Sequence, residues 1–221
     1  MTLVLIGGGE ISKGELIRID KEIIKKGRGE EKLVLFFPTA ANDSEGYSEQ
    51  FKKYYSSLGC TDIRAIKILD KDFNPEALRK LLNNTGIIYL GGGDTHSLIK
   101  SMKDSGVDMI LKEAIKKKIV IAGMSAGAIA LGEITNSEKK EKEFIKAWGV
   151  VKGYAIEAHF TESRKEEALC NLLDYGKKGI GIDERTAVII EGNTAKVIGE
   201  GNVFLFNKKK QILREGDCFE L

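Results

Sequence analysis

Cysteine, proline and histidine are scarce in these 221 residues, at three, two and two. Cys60, Cys170 and Cys218 are an odd set with no C-x-x-C pair, which argues against a disulfide framework or a zinc ribbon. With so little proline there is no Pro-rich linker, and residues 1–221 are expected to form a single domain large enough to bury a real core. No apolar run approaches the roughly 18 residues needed to cross a bilayer. The opening Met1–Gly9 stretch lacks a basic segment and has about five apolar residues before its glycines, unlike a secretory leader. An excess of one charge is missing too, since 35 Lys+Arg against 33 Asp+Glu leave +2. Both signs are interspersed, which argues against nucleic acid or a membrane surface as partner. A cytoplasmic location is expected.

Glycine, by contrast, is abundant. The 25 glycines gather as Gly7-Gly8-Gly9, Gly91-Gly92-Gly93 and Gly123…Gly127, each directly after a short apolar run. A strand ending in glycine lets backbone N–H groups approach a ligand closely. Residues 3–6, 33–37, 63–68, 87–90 and 119–122 read as strands buried on both faces. Residues 16–24, 47–58, 75–82 and 107–114 read as helices, with Asn74-Pro75 supplying a cap and a first-turn proline. This alternation predicts an α/β fold with right-handed crossovers and a mainly parallel central sheet covered on both sides. From about Thr186 onward, short strands at 187–190, 195–198, 203–206 and 211–213 alternate with turn residues about every eight positions, predicting a C-terminal antiparallel meander. Residues 137–143 (Ser-Glu-Lys-Lys-Glu-Lys-Glu) read as solvated surface or as a flap beside a site.

Gly123-Met124-Ser125-Ala126-Gly127 follows a predicted strand and precedes the small-residue run Ala128-Ile129-Ala130-Leu131. G-x-S-x-G at a strand-to-helix junction is a nucleophile elbow: the tight turn lifts the serine above the sheet edge, and the glycines omit Cβ atoms that would clash. The helix N-terminus favours negative charge, so the Ala126 N–H is a candidate oxyanion donor. A serine nucleophile needs a base, and only His96 and His159 are available. His96 stands where a helix would begin, a setting that depresses imidazole basicity. His159 ends a short segment, Ile156-Glu157-Ala158-His159-Phe160, that leads into a predicted helix around residues 164–173, and it is the better base. The acid that orients the imidazolium is sought in Asp183-Glu184, after the apolar run 179–182. Neighbours alternate faces in an extended chain, so one of the two is expected to face His159. Spacing leaves Glu133 and Glu157 open as well.

Gly91-Gly92-Gly93-Asp94 ends another predicted central strand. It does not complete G-x-G-x-x-G, since position 96 is His96, and no Gly-Lys-Ser/Thr follows. A second oxyanion donor from Gly92 or Gly93 therefore fits better than a phosphate cradle, with Asp94 beside them in the substrate-binding set. No cofactor is expected. Gly7-Gly8-Gly9-Glu10 and Pro38-Thr39-Ala40 are expected to form walls, and Met124, Trp148 and Phe36-Phe37 to be core or lining. Arg164 and Arg185 are either surface arginines or a clamp for a substrate carboxylate.

Gly91-Gly92-Gly93-Asp94-Thr95, Gly123-Met124-Ser125-Ala126-Gly127-Ala128, Ala158-His159-Phe160 and Gly179-Ile180-Gly181-Ile182-Asp183-Glu184 occur in the order found in the dipeptidase E / cyanophycinase family of serine peptidases. The chain resembles that family over almost its whole length. The resemblance implies a flavodoxin-like three-layer sandwich related to the class I glutamine amidotransferases, with no metal. It makes Ser125 the nucleophile, His159 the base, Glu184 the orienting acid, and Gly92 and Ala126 oxyanion donors. It implies a short-peptide substrate hydrolysed through an acyl-enzyme, with N-terminal aspartate specificity as one form of the activity. A monomer or homodimer is expected. The chain departs from dipeptidase E at Thr161-Glu162-Ser163-Arg164, which runs straight on from the histidine segment. It departs again at Thr135-Asn136-Ser137, where an aspartate is expected. Both departures bear on specificity rather than on the serine chemistry. The alternatives are a cyanophycinase-like isopeptidase, an esterase or amidase with the same triad, and a non-catalytic ligand-binding module.

Overall fold

The computed structural model describes residues 1–136, 144–160, 178–207 and 209–221. The chain begins with β1 (Thr2–Ile6), α1 (Ile17–Gly27), β2 (Leu33–Phe37), α2 (Glu45–Ser57), β3 (Ile63–Ala65) and α3 (Pro75–Leu81). Then come β4 (Thr85–Leu90), α4 (Thr95–Asp104), α5 (Val107–Lys116), β5 (Val120–Met124) and the short α6 (Ala126–Ala130). It continues through β6 (Ile134–Asn136), β7 (Phe144–Lys146), β8 (Tyr154–Ala158), β9 (Lys178–Ile182) and β10 (Thr186–Glu191). The last strands are β11 (Thr194–Gly199), β12 (Val203–Asn207), β13 (Lys209–Leu213) and β14 (Cys218–Glu220).

The continuous apolar runs behave as two-sided burial demands. β2, β4 and β5 are buried at every position, and with β1 and β3 they form the parallel part of an eight-stranded sheet, ordered β14-β11-β10-β1-β5-β4-β2-β3. Helices α1 and α2 cover one face with Ile19, Ile23, Phe51 and Tyr55. Helices α3, α4 and α5 cover the other with Leu78, Leu98, Met102 and Ile110. The three-layer α/β sandwich is as expected. The strand expected at 63–68 shortens to β3 at the sheet edge, and Asn74 caps α3 by accepting from Glu76 N at 2.9 Å and Ala77 N at 3.2 Å. Cα pairing of Ile6 with Met124 and of Leu90 with Gly123 brings the ends of β1, β5 and β4 to one edge. Gly7, Ser125 and Gly91 emerge there side by side.

The predicted C-terminal meander is divided between two sheets. β10 extends the main sheet antiparallel to β1, β11 pairs antiparallel with β10, and β14 lies along the edge. The chain then crosses at residues 199–202, and β12 enters a second sheet, β13-β12-β9-β8. Bonds from Gly201 N to Thr186 Oγ1 (2.8 Å) and from Asn202 N to Asp183 Oδ2 (3.0 Å) fix the crossing. The reason is burial on both faces of β12. Val203 and Leu205 join the main core, while Phe206 packs with Ala155 and Phe160 in a separate cluster. In this second sheet β8 pairs parallel with β9, Ala158 opposite Ile182, so His159 emerges beside Asp183-Glu184. Among the described residues no helix is long and apolar enough to cross a membrane. Residues 137–143, the helix predicted around 164–173, Arg164 and Cys170 lie outside the described residues.

Candidate active site

β5 delivers Ser125 to the sheet edge in a backbone conformation that a side-chain-bearing residue rarely adopts, φ 51° and ψ −113°. Such a conformation costs on the order of 1–3 kcal/mol and persists only where the surroundings impose it. Here they do. Ser125 N donates to Ile6 O at 2.9 Å, and Ser125 O accepts from Ala128 N (2.9 Å) and Ile129 N (3.0 Å). The motif's glycines make the turn possible: a Cβ on Gly123 would stand 2.7 Å from Ala128 N, and one on Gly127 would stand 2.8 Å from Leu90 Cβ. Ala126, at the first position of α6, has an N–H with no acceptor within the helix.

His159 follows β8 with a φ of 52°, and its N–H donates to Gly7 O at 2.9 Å. Its Nε2 lies 2.8 Å from Ser125 Oγ, and its Nδ1 makes a short contact with Glu184 Oε1. With the carboxylate on Nδ1, the proton of the neutral ring belongs there, leaving Nε2 as acceptor for the serine hydroxyl. The His159 and Glu184 side chains are 28% and 46% exposed, so the pair opens to solvent and to a ligand. Asp183 turns the other way: it is buried and accepts from Asn202 N and Nδ2. Of the further acids, Glu133 accepts from Gly153 N and Glu157 from Asn136 Nδ2. His96 Nε2 bonds Asn136 O at 2.8 Å, in the first turn of α4.

The glycine loops divide the remaining work. Gly7 O holds His159 N, and Gly8 O accepts from Arg185 N at 2.9 Å. A Cβ on Gly8 would collide with both the His159 ring and the Glu184 carboxylate. This loop, expected only as a wall, is the backbone support of the His–Glu pair. The Arg185 side chain pairs with Glu200 on the surface. In the second loop, Gly92 N donates to Tyr47 Oη at 3.3 Å, and a Cβ on Gly92 would come 3.3 Å from Ser125 Cβ. Gly93 packs against the Ala40–Ala41 backbone. Asp94 caps α4 by accepting from Ser97 N, a bond that holds its carboxyl below the usual carboxylate range.

Tyr47 is the neighbour that the sequence reading missed, because it counted only as an apolar start of a helix. The available signal was a polar-tipped aromatic in the first turn of α2. Burial, together with the charges of Asp20 and Glu10, pushes its phenol up to about 12, so it stays protonated at neutral pH. Tyr47, Gly92 and Met124 line a cavity of about 370 Å³ beside Ser125. A second cavity, about 620 Å³, is lined by Met1, Leu3, Trp148 and Ile190, toward the opposite end of β1. It contains none of the predicted site residues.

The profile of peptidase family S51 matches residues 3–198. The chain is similar to the uncharacterized peptidase YgaJ of Bacillus subtilis (strain 168), 33% identical over 58% of this chain and 54% of that protein. The chain thus spans about half the length of that relative. It is 21% identical to a cyanophycinase of Synechococcus elongatus, over 99% of this chain and 79% of the relative. The crystal structure of a peptidase from an acI-B1 actinobacterium superposes with a TM-score of 0.81 at 26% identity, covering all of this chain and 96% of the other.

Proposed function

Because the chain belongs to peptidase family S51, we propose that it is a cytoplasmic serine exopeptidase hydrolysing dipeptides or short peptides, with Ser125, His159 and Glu184 as its triad. The observation that carries this reading is the continuous relay from Ser125 Oγ through His159 Nε2 and Nδ1 to Glu184, with the serine held at a strained φ. A ligand-binding module would have no use for that strain. Both sheets contribute side chains to one buried cluster, which supports treating residues 1–221 as one catalytic unit.

In the first half-reaction Ser125 Oγ attacks the scissile carbonyl carbon while His159 Nε2 takes its proton. Glu184 stabilises the imidazolium and fixes the ring. The carbonyl oxygen, now anionic, turns toward Ala126 N–H and the N–H of Gly92 or Gly93, each contributing about 3–4 kcal/mol to the transition state. At 3.3 Å the Gly92–Tyr47 bond is long for an N–H···O contact and is readily exchanged for the oxyanion. His159 then protonates the leaving amine, the C–N bond breaks, and an ester to Ser125 remains. Water, deprotonated by His159, cleaves that ester and restores the serine.

The same relay would serve an isopeptidase, an esterase or an amidase, so substrate profiling decides among them. Amine or alcohol release is measured from dipeptides, Asp-Xaa included, from β-Asp-Arg isopeptides and from esters. Turnover of a peptide class, reduced about 10⁴-fold or more by Ser125→Ala, is the expected result. A folded wild type that turns over no peptide contradicts the peptidase reading.

A further inference from the structure

Resting on that reading, we infer that the cavity beside Ser125 selects substrates whose acyl part carries a cationic nitrogen, held by the carboxylate of Glu10. The cavity adjoins the nucleophile. Met124, in its lining, directly precedes Ser125, and Gly92, also in its lining, lies within 3.3 Å of Ser125 Cβ when a Cβ is built on it. A group bonded to the carbonyl carbon under attack is therefore within reach of its mouth.

Its described lining carries charge of one sign. Among the described lining residues, Ile11, Ala41 and Met124 give apolar contact, Tyr47 and Gln50 give neutral polar groups, and Glu10 gives the single ionic side chain. Glu10 is held in place: its N–H donates to Glu15 Oε2 at 2.8 Å, and its Oε1 accepts from Ser12 Oγ at 2.8 Å. Among the described residues no lysine or arginine forms an ion pair with it. It shares this lining with Tyr47, whose phenol its charge helps to raise. A cationic nitrogen would find there a carboxylate, an amide and a phenol oxygen. An acidic side chain would meet a like charge, which sets this cavity against the N-terminal aspartate form of the activity.

Two groups on the acyl part share this chemistry: the free α-ammonium and a basic side chain. Matched pairs separate them. We would measure kcat/KM for Lys-Xaa against norleucine-Xaa, for free against N-acetylated dipeptides, and for Asp-Xaa against Asn-Xaa, in wild type, Glu10→Gln, Glu10→Lys and Ser125→Ala. The cationic member of a pair is expected to lead by about tenfold at low salt, with the lead shrinking as salt rises. Glu10→Gln should bring that ratio close to one, and Glu10→Lys should move preference toward Asp-Xaa. A ratio that responds to acetylation identifies the ammonium, and one that responds to norleucine identifies the side chain. Wild-type preference for Asp-Xaa, or ratios unchanged in Glu10→Gln, would overturn the inference while leaving the serine chemistry standing. If no turnover in any pair depends on Ser125, the serine-peptidase reading falls and the inference falls with it.

Discussion

Two triglycine loops, Gly7-Gly8-Gly9 and Gly91-Gly92-Gly93, leave the strands on either side of β5, and they do opposite work. The first turns its carbonyls outward to the second sheet, where Gly7 O holds His159 N and Gly8 O holds Arg185 N. The second turns an N–H toward the cavity, where Gly92 meets Tyr47 Oη. One loop supports the His159–Glu184 pair, and the other faces the cavity. Identical strings acquire different roles from what lies across from them, β8 and β9 in one case and α2 in the other.

Beneath both loops, α1 and α2 are tied together through Asp20. Its carboxylate accepts from Tyr54 and Tyr55 hydroxyls, yet burial pushes it up to about 7. The unfolded chain releases this proton near pH 4 and the folded chain keeps it to about 7, so the unfolded state binds fewer protons in between. Stability from this group is therefore full below about pH 4 and is lost as pH rises through 7, by at most about 4 kcal/mol. Urea unfolding at pH 5 and pH 8 should show that decline in wild type and a flatter profile in Asp20→Asn. An unchanged profile would remove Asp20 from the account.

Above the sheet edge, Gly8→Ala should cost the most activity. Its methyl displaces both His159 and Glu184, and misplacing such groups by about 1 Å costs roughly 10²-fold in kcat. Circular dichroism and substrate binding distinguish this loss from unfolding. Gly92→Ala should cost less, about tenfold in kcat/KM, because its methyl meets Ser125 Cβ and Met124 Cε at 3.3 and 3.4 Å and needs a small adjustment. Equal losses in the two variants would mean that the loops do not differ in role.

The tight turn at Ser125 was legible because five consecutive residues carry the steric reason for it: Gly123 and Gly127 must be glycine for the turn to close. The placement of His159 beside Ser125 was legible by scarcity, there being one rival. Choosing Glu184 over Asp183 was not, from the residues alone. That choice depends on the crossing at residues 199–202, where Asn202 takes Asp183, and on Arg185 bonding the first loop far away in sequence. The parallel core was readable from apolar runs, whereas the sheet switch between β11 and β12 was not. The turn signals at 199–202 fit a hairpin equally well, and only the apolar partners on both faces of β12 decide against one. The supporting role of Gly7-Gly8-Gly9 and the presence of Tyr47 were hidden for the same reason, since neither is a local property.

In the proposed mechanism, Ser125 is made nucleophilic by a His159–Glu184 pair held on the first triglycine loop. Covalent labelling with a fluorophosphonate, followed by peptide mapping, tests it most directly. A single adduct is expected, on Ser125, formed in wild type and about 100-fold more slowly in Gly8→Ala. An adduct on another residue, or equal labelling rates in the two proteins, would contradict it.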